Sequence, residues 1–219
     1  MNLNRYTQLP GGATAWVARP QGTPTRGVVL LPSMHGTTPV FEVMATGLAT
    51  DHGWSVCVPE IITEDRDAPF DRRRLIVADI DDGAVFTILR EAAAETAAAT
   101  VSLIGFCVGG MYAMKASSLE VFDRLVAFYG MVRVPDYWHG PGQAEPMEYL
   151  RGNTDRVLAV FGEKDPFIPI ADIDTVAAAG VTTLRYPEAG HAFAHGGGDH
   201  RPDDAADAWR HAVAFLKHA

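Results

Sequence analysis

Gly105-Phe106-Cys107-Val108-Gly109-Gly110 follows the apolar run Val101-Ser102-Leu103-Ile104 and precedes Met111-Tyr112-Ala113-Met114-Lys115-Ala116. The order predicts a strand, a sharp turn and a helix. A turn of the form G-x-nucleophile-x-G is so tight that small residues must flank the reactive one, whose side chain then stands exposed at a helix N-terminus. A thiol in that place feels the positive end of the helix dipole and nearby backbone N–H groups, which favour thiolate over thiol. Cys107 is therefore the candidate nucleophile. Two other readings compete: a packed, inert cysteine and a phosphate-cradling loop. The glycines speak against the loop, because they fall as G-x-x-x-G-G instead of G-x-G-x-x-G and no acidic residue closes the next strand.

Outward from this turn, β-like runs occur at Thr14 to Ala18, Gly27 to Leu31, Ser55 to Val58, Leu125 to Phe128, Val157 to Phe161 and Thr182 to Tyr186. Together with Val101 to Ile104 they make seven, most of them nearly continuous apolar stretches, as expected of parallel strands covered on both faces. Helical patterns lie between them at Phe41 to Ala49, Leu75 to Ala94, Gly110 to Ser118, Ile173 to Ala179 and Asp204 to Leu216. Alternation of this kind predicts an α/β protein with a doubly wound sheet. Pro32, Pro59, Gly105, Gly130, Gly162 and Pro187 punctuate the strand ends, where ligand sites of open α/β sheets form. The irregular stretch Val132 to Asn153, with Tyr137 and Trp138, reads equally as a lid or as plain surface. Gly196-Gly197-Gly198 reads as a flexible loop.

The 219 residues suit one α/β domain spanning 1–219, and an apolar fraction of 47% supplies a full core. A net charge of −9 argues against a nucleic-acid or anionic-membrane surface and points to a small-molecule partner. No signal-peptide pattern or membrane-length apolar run is present, so a cytoplasmic location is expected. With only Cys57 and Cys107, a disulfide framework is not expected, and Cys57 reads as a core residue of its strand.

A cysteine nucleophile needs a base within hydrogen-bond reach, and the base needs an orienting acid. After the run Val157 to Phe161 comes Gly162-Glu163-Lys164-Asp165-Pro166-Phe167-Ile168-Pro169, which offers Asp165, with Glu163 and Asp172 as alternatives. After the run Thr182 to Tyr186 comes Pro187-Glu188-Ala189-Gly190-His191-Ala192-Phe193, which offers His191 as base. The order nucleophile, acid, histidine is that of the α/β-hydrolase fold. His191, His195, His200 and Asp199 could suggest a metal site, but no further ligand cluster completes a shell and the intervening glycines suit a cage badly. No metal or organic cofactor is expected.

With Gly-Phe-Cys-Val-Gly-Gly, Gly-Glu-Lys-Asp-Pro-Phe-Ile-Pro and Gly-His-Ala-Phe in this order, the chain resembles the dienelactone hydrolase family over nearly its whole length. The resemblance implies an α/β-hydrolase fold, with a mostly parallel central sheet of about seven strands and helices on both faces. It also implies Cys107 as nucleophile, Asp165 as acid and His191 as base, with the backbone N–H groups of Val108 and Met34 as oxyanion donors. Two departures stand out. Ser33, in Leu30-Leu31-Pro32-Ser33-Met34-His35-Gly36, occupies the place of a family glutamate that helps activate the thiol, leaving His191, the helix dipole and Glu60 as substitutes. His195 stands where the family carries an arginine that holds a substrate carboxylate; Arg72, Arg73 and Arg74 are candidates for a second such arginine. Ser33, His35, Glu60, Tyr129, Trp138 and His195 are the candidate substrate contacts. The expected activity is cleavage of a small lactone or carboxylic ester through an acyl-enzyme on Cys107. The same three residues would also serve a thioesterase or acyl transferase, and a non-catalytic ligand-binding member of the fold or a redox-sensing thiol are the readings from other classes.

Overall fold

The structure, a computed structural model, describes residues 4–63, 68–196 and 199–217. Gly197 and Gly198 of the expected glycine loop lie outside the described residues. Among the described residues the strands form one sheet in the order β1-β2-β4-β3-β5-β6-β7-β8, mostly parallel. The chain divides into two compact units, residues 1–103 with 135–144 and residues 104–134 with 145–219.

In the first unit, β1 (Arg5–Gln8) pairs antiparallel with β2 (Thr14–Ala18), which pairs antiparallel with β4 (Trp54–Pro59). Strand β3 (Arg26–Leu31) runs parallel to β4, and β5 (Val101–Phe106) begins in this unit. Every residue of β3, β4 and β5 is buried, which is why their sequences show no polar alternation. Each fully enclosed Val or Leu there contributes roughly 1.5–3 kcal/mol relative to exposure. The eighth strand, β1, exceeds the seven expected from sequence. Its residues, Arg-Tyr-Thr-Gln, are mostly exposed and carry no apolar run, so pairing with β2 alone makes it a strand.

Helix α1 (Pro39–His52) packs on β2 and β4 and stops where Gly53 takes a left-handed conformation, its N–H returning to the Ala49 carbonyl. The single helix expected over Leu75 to Ala94 is instead α2 (Phe70–Ile76), a 3-10 turn (Val77–Asp79) and α3 (Asp82–Glu95). Asp81 causes the break: extended at φ −96° and ψ 128°, it accepts a hydrogen bond from the Ala84 N–H and caps α3. Residues 135–144 are pinned to this break. Gln143 donates to the carbonyls of Val77 and Trp138, the Asp82 carboxylate accepts the Ala144 N–H, and a Cβ on Gly140 would lie 1.8 Å from the Ala78 oxygen.

In the second unit, α4 (Val108–Lys115) packs on β6 (Leu125–Phe128), and β6 runs parallel to β7 (Val157–Gly162). A short α5 (Pro146–Leu150) packs on α4. Helix α6 (Ile170–Ala178) leads to β8 (Thr182–Tyr186), parallel to β7. In α7 (Pro202–Lys217), Ala205, Ala208, Ala212 and Leu216 form one buried stripe, and the helix packs on β7. Among the described residues no helix is long and apolar enough to cross a membrane.

Candidate active site

Strand β5 ends at Phe106, and Cys107 takes φ 56° and ψ −117° before α4 begins. This is a conformation that residues with a Cβ rarely adopt, at a cost of about 1–3 kcal/mol. It persists because both neighbouring peptides are bonded: the Cys107 N–H donates to the Phe128 carbonyl at 3.1 Å, and its carbonyl accepts the Met111 N–H at 2.9 Å. The turn also needs bare backbone around it. A Cβ on Gly105 would lie 2.0 Å from the Gly109 oxygen, and one on Gly110 would lie 2.5 Å from the Phe128 oxygen. Helix α4 is wholly buried, and Cys107 at its N-terminus is half-buried.

The acid and base arrive on two loops laced together. The Glu163 N–H donates to the Tyr186 carbonyl and the Lys164 N–H to the Ala189 carbonyl, so the turn after β7 is tied to the one after β8. Asp165 uses both oxygens: Oδ1 accepts the Phe167 N–H at 2.9 Å, and Oδ2 lies 2.6 Å from His191 Nδ1. Its side chain is completely enclosed. Cys107 is near enough for its charge to act on the His191 ring, while Nδ1 is held by Asp165. The alternative acids are engaged elsewhere, Glu163 with Arg185 at 2.5 Å and Asp172 with Arg133 at 2.8 Å.

Burial by itself pushes the His191 imidazole down; hydrogen bonds to Asp165 and Cys107, together with negative charge on both, override it and raise it from 6.5 to about 10. The site thus favours the protonated imidazolium. Because the native pKa lies above the unfolded one, the stability from this protonation is fully present below pH 6.5 and is lost as pH rises through about 10. In denaturant titrations, the stability advantage of wild type over Asp165→Asn should shrink steadily across that window. A constant difference would show that His191 takes up no extra proton on folding.

Aromatic rings hold the imidazole from two sides. Tyr129 lies 5.1 Å from it, and the Phe167 ring meets it edge-on at 5.0 Å while remaining 57% exposed. Sequence reading passed over Phe167. Its one available signal was its place two residues after the candidate acid. Tyr129 is buried, with a positive φ of 38°. Its phenol is held well above its ordinary pKa, first by burial and then by the charges of Cys107 and Asp165. The hydroxyl therefore stays protonated and is hydrogen-bonded to His195 Nδ1, whose ring stacks on Tyr129 at 5.6 Å. Tyr129 is thus brought to His191, and His195 to Tyr129.

The remaining predicted residues belong to the first unit. Ser33 and Met34 are buried in the turn after β3, and His35 is exposed. Glu60 is buried and paired with Arg73 at 3.1 Å. Of the three arginines 72–74, only Arg73 is buried, and Arg74 lies over the Tyr137 ring. Trp138 is buried in the pinned segment. Cys57 is enclosed in β4, where burial, then the charge of Glu95, pushes its thiol up to about 12 against the opposing effect of Arg19, leaving it unreactive.

Among the described residues no group of three His, Cys, Asp or Glu side chains is placed to hold a metal ion. His200, one of the four residues considered as ligands, directs Nδ1 to the Phe193 carbonyl.

Known proteins resemble this chain in sequence and in fold. A carboxymethylenebutenolidase of Rhodococcus opacus is 27% identical over 208 residues, covering 87% of this chain and 80% of that protein. A provisionally named carboxymethylenebutenolidase of Synechocystis sp. is 35% identical over 118 residues, which is 50% of this chain and 47% of that protein. The chain thus spans about half the length of that relative. The crystal structure of a provisionally named dienelactone hydrolase from Klebsiella pneumoniae superposes with a TM-score of 0.84 over 99% of both chains at 22% identity, a likeness of fold. The dienelactone hydrolase family model matches residues 13–219. On that match, the chain belongs to the dienelactone hydrolase family.

Proposed function

We propose that this chain hydrolyses small lactones or carboxylic esters through a Cys107-His191-Asp165 triad. The observation that carries the reading is His191 bonded to the enclosed Asp165 carboxylate at 2.6 Å while its ring also feels the charge of Cys107. The Cys107 thiolate attacks the carbonyl carbon, forming a carbon–sulfur bond. As the tetrahedral intermediate collapses, the carbon–oxygen bond breaks and His191 gives its proton to the departing alkoxide. In a lactone that alkoxide stays tethered to the acyl group. Water, deprotonated by His191, then releases the acid and restores the thiolate. Asp165 fixes the imidazole tautomer and stabilises the imidazolium.

The Val108 N–H, first in α4 beside the nucleophile, serves as an oxyanion donor. The chemistry uses only side chains and amides already present. The reading treats the chain as one catalytic domain, in keeping with the family match from 13 to 219. A free reactive thiol suits the reducing cytoplasm.

The test is to trap the acyl-enzyme. Brief exposure to p-nitrophenyl acetate should leave one acetyl group on Cys107 in the peptide mass map, and prior iodoacetamide should abolish both the adduct and lactone turnover. Undiminished turnover by alkylated protein would refute the mechanism.

A further inference from the structure

Tyr129 is a wholly enclosed residue to which the proposed chemistry gives no task. It follows β6 directly and takes a positive φ of 38°. The carbonyl of the preceding Phe128 accepts the Cys107 N–H at 3.1 Å, and the N–H of Tyr129 itself donates to the Val160 carbonyl at 2.7 Å, in the strand that leads to Asp165. A positive φ costs free energy in any residue with a Cβ, and glycine would avoid that cost. The reason for a tyrosine here therefore lies in its side chain.

That ring reaches both ends of the turn that carries the base. It lies 5.1 Å from the His191 ring at 59° and 5.6 Å from the His195 ring at 27°, and its hydroxyl is bonded to His195 Nδ1. Within the turn, Ala192 has φ 62° and its carbonyl accepts the His195 N–H at 3.3 Å. Trp209 Nε1 donates to the Ala194 carbonyl at 3.3 Å and so steadies the backbone, but Tyr129 meets the imidazole itself. A histidine needs such a wall, because the torsion that turns its ring is broad, and the bond from Nδ1 to Asp165 leaves the ring able to swing about it. Phe167, on the exposed side, can yield; Tyr129 can move only by opening a packed interior.

We infer that Tyr129 is a positioning residue, its ring fixing the plane of the His191 imidazole and its bond to His195 fixing the ring. This rests on the proposal that His191 is the base. Acetyl-enzyme made with p-nitrophenyl acetate and freed of excess reagent decays by the step in which His191 deprotonates water. Its first-order decay therefore reads the aim of the imidazole with no substrate left to bind. Tyr129→Leu removes the ring and should slow the decay about 10- to 100-fold. Tyr129→Phe keeps the ring and breaks only the tether, so it should slow the decay a few-fold. His195→Ala breaks the same tether, and the two together should be no slower than the slower single variant. The reagent concentration giving half the maximal p-nitrophenolate burst rate should hold at the wild-type value throughout. Wild-type decay in folded Tyr129→Leu overturns the inference, as does Tyr129→Phe decaying as slowly as Tyr129→Leu. A raised half-maximal concentration with unchanged decay also overturns it, by making the two residues substrate contacts. If Tyr129→Leu does not fold, the tether variants decide: non-additive losses support the inference, and additive or absent losses overturn it. His191→Ala, treated alike, separates the two ideas. Wild-type decay there removes His191 as the base, whereas slow decay there beside wild-type decay in Tyr129→Leu removes only the role of Tyr129.

Discussion

Cys107→Ala abolishes acyl-enzyme formation and lowers lactone and p-nitrophenyl ester hydrolysis by about 10⁴-fold or more, the scale seen when a nucleophile is removed from a triad. Whatever rate survives comes from binding and oxyanion donors acting on water. The fold should tolerate the change: Cys107 is half-buried, its strained backbone is held by the Phe128 carbonyl and the Met111 N–H, and alanine disturbs neither bond. A melting temperature near wild type with activity gone is the expected pair of results. Equal hydrolysis by wild type and variant would dismiss the mechanism. Cys107→Ser sharpens the test, because a hydroxyl ionises far less readily than a thiol near neutral pH, so nucleophilicity is lost with little change in shape.

The second large effect is at His191. His191→Ala removes the group proposed to accept and return the proton, so kcat should fall about 10³- to 10⁴-fold. Iodoacetamide alkylation of Cys107 at neutral pH should slow as well, which Cys107-independent roles of the histidine would not produce. The variant also deprives the enclosed Asp165 carboxylate of its bond to the imidazole, so some stability is lost. Adding Asp165→Asn to His191→Ala relieves that burden without restoring activity. Residues that act as one unit are non-additive. The double variant Cys107→Ala with His191→Ala should therefore be no slower than Cys107→Ala alone, and additive losses would argue that the two work independently.

The elements with mostly apolar runs were legible from sequence almost to the residue, as at β2 and β6, because strand formation there follows from side chains that must leave water. Where a local hydrogen bond outweighs periodicity, reading failed: the helical pattern over 75–94 continues through Asp81, yet that carboxylate bonds the Ala84 N–H and starts a new helix. Polar β1 was invisible for the opposite reason, since only its partner strand makes it regular. At the candidate site, the turn around Cys107 and the loops carrying Asp165 and His191 were all marked by glycine, proline and apolar spacing.

What the sequence by itself determined is the order of chemistry along the chain: a cysteine after one strand, carboxylates after a later one and a histidine after the last. These are local properties, set by turn sterics and by which residues can start a helix or end a strand. Tertiary structure alone decided which of Asp165, Glu163 and Asp172 faces the histidine, because a hydrogen bond of 2.6 Å depends on how two loops are laced and on Arg185 and Arg133 drawing the rivals away. It alone enclosed Glu60 against Arg73 and set Tyr129 and Phe167 around His191. Pairings between side chains far apart in sequence leave no periodic trace; they exist only where folding removes water from around both partners.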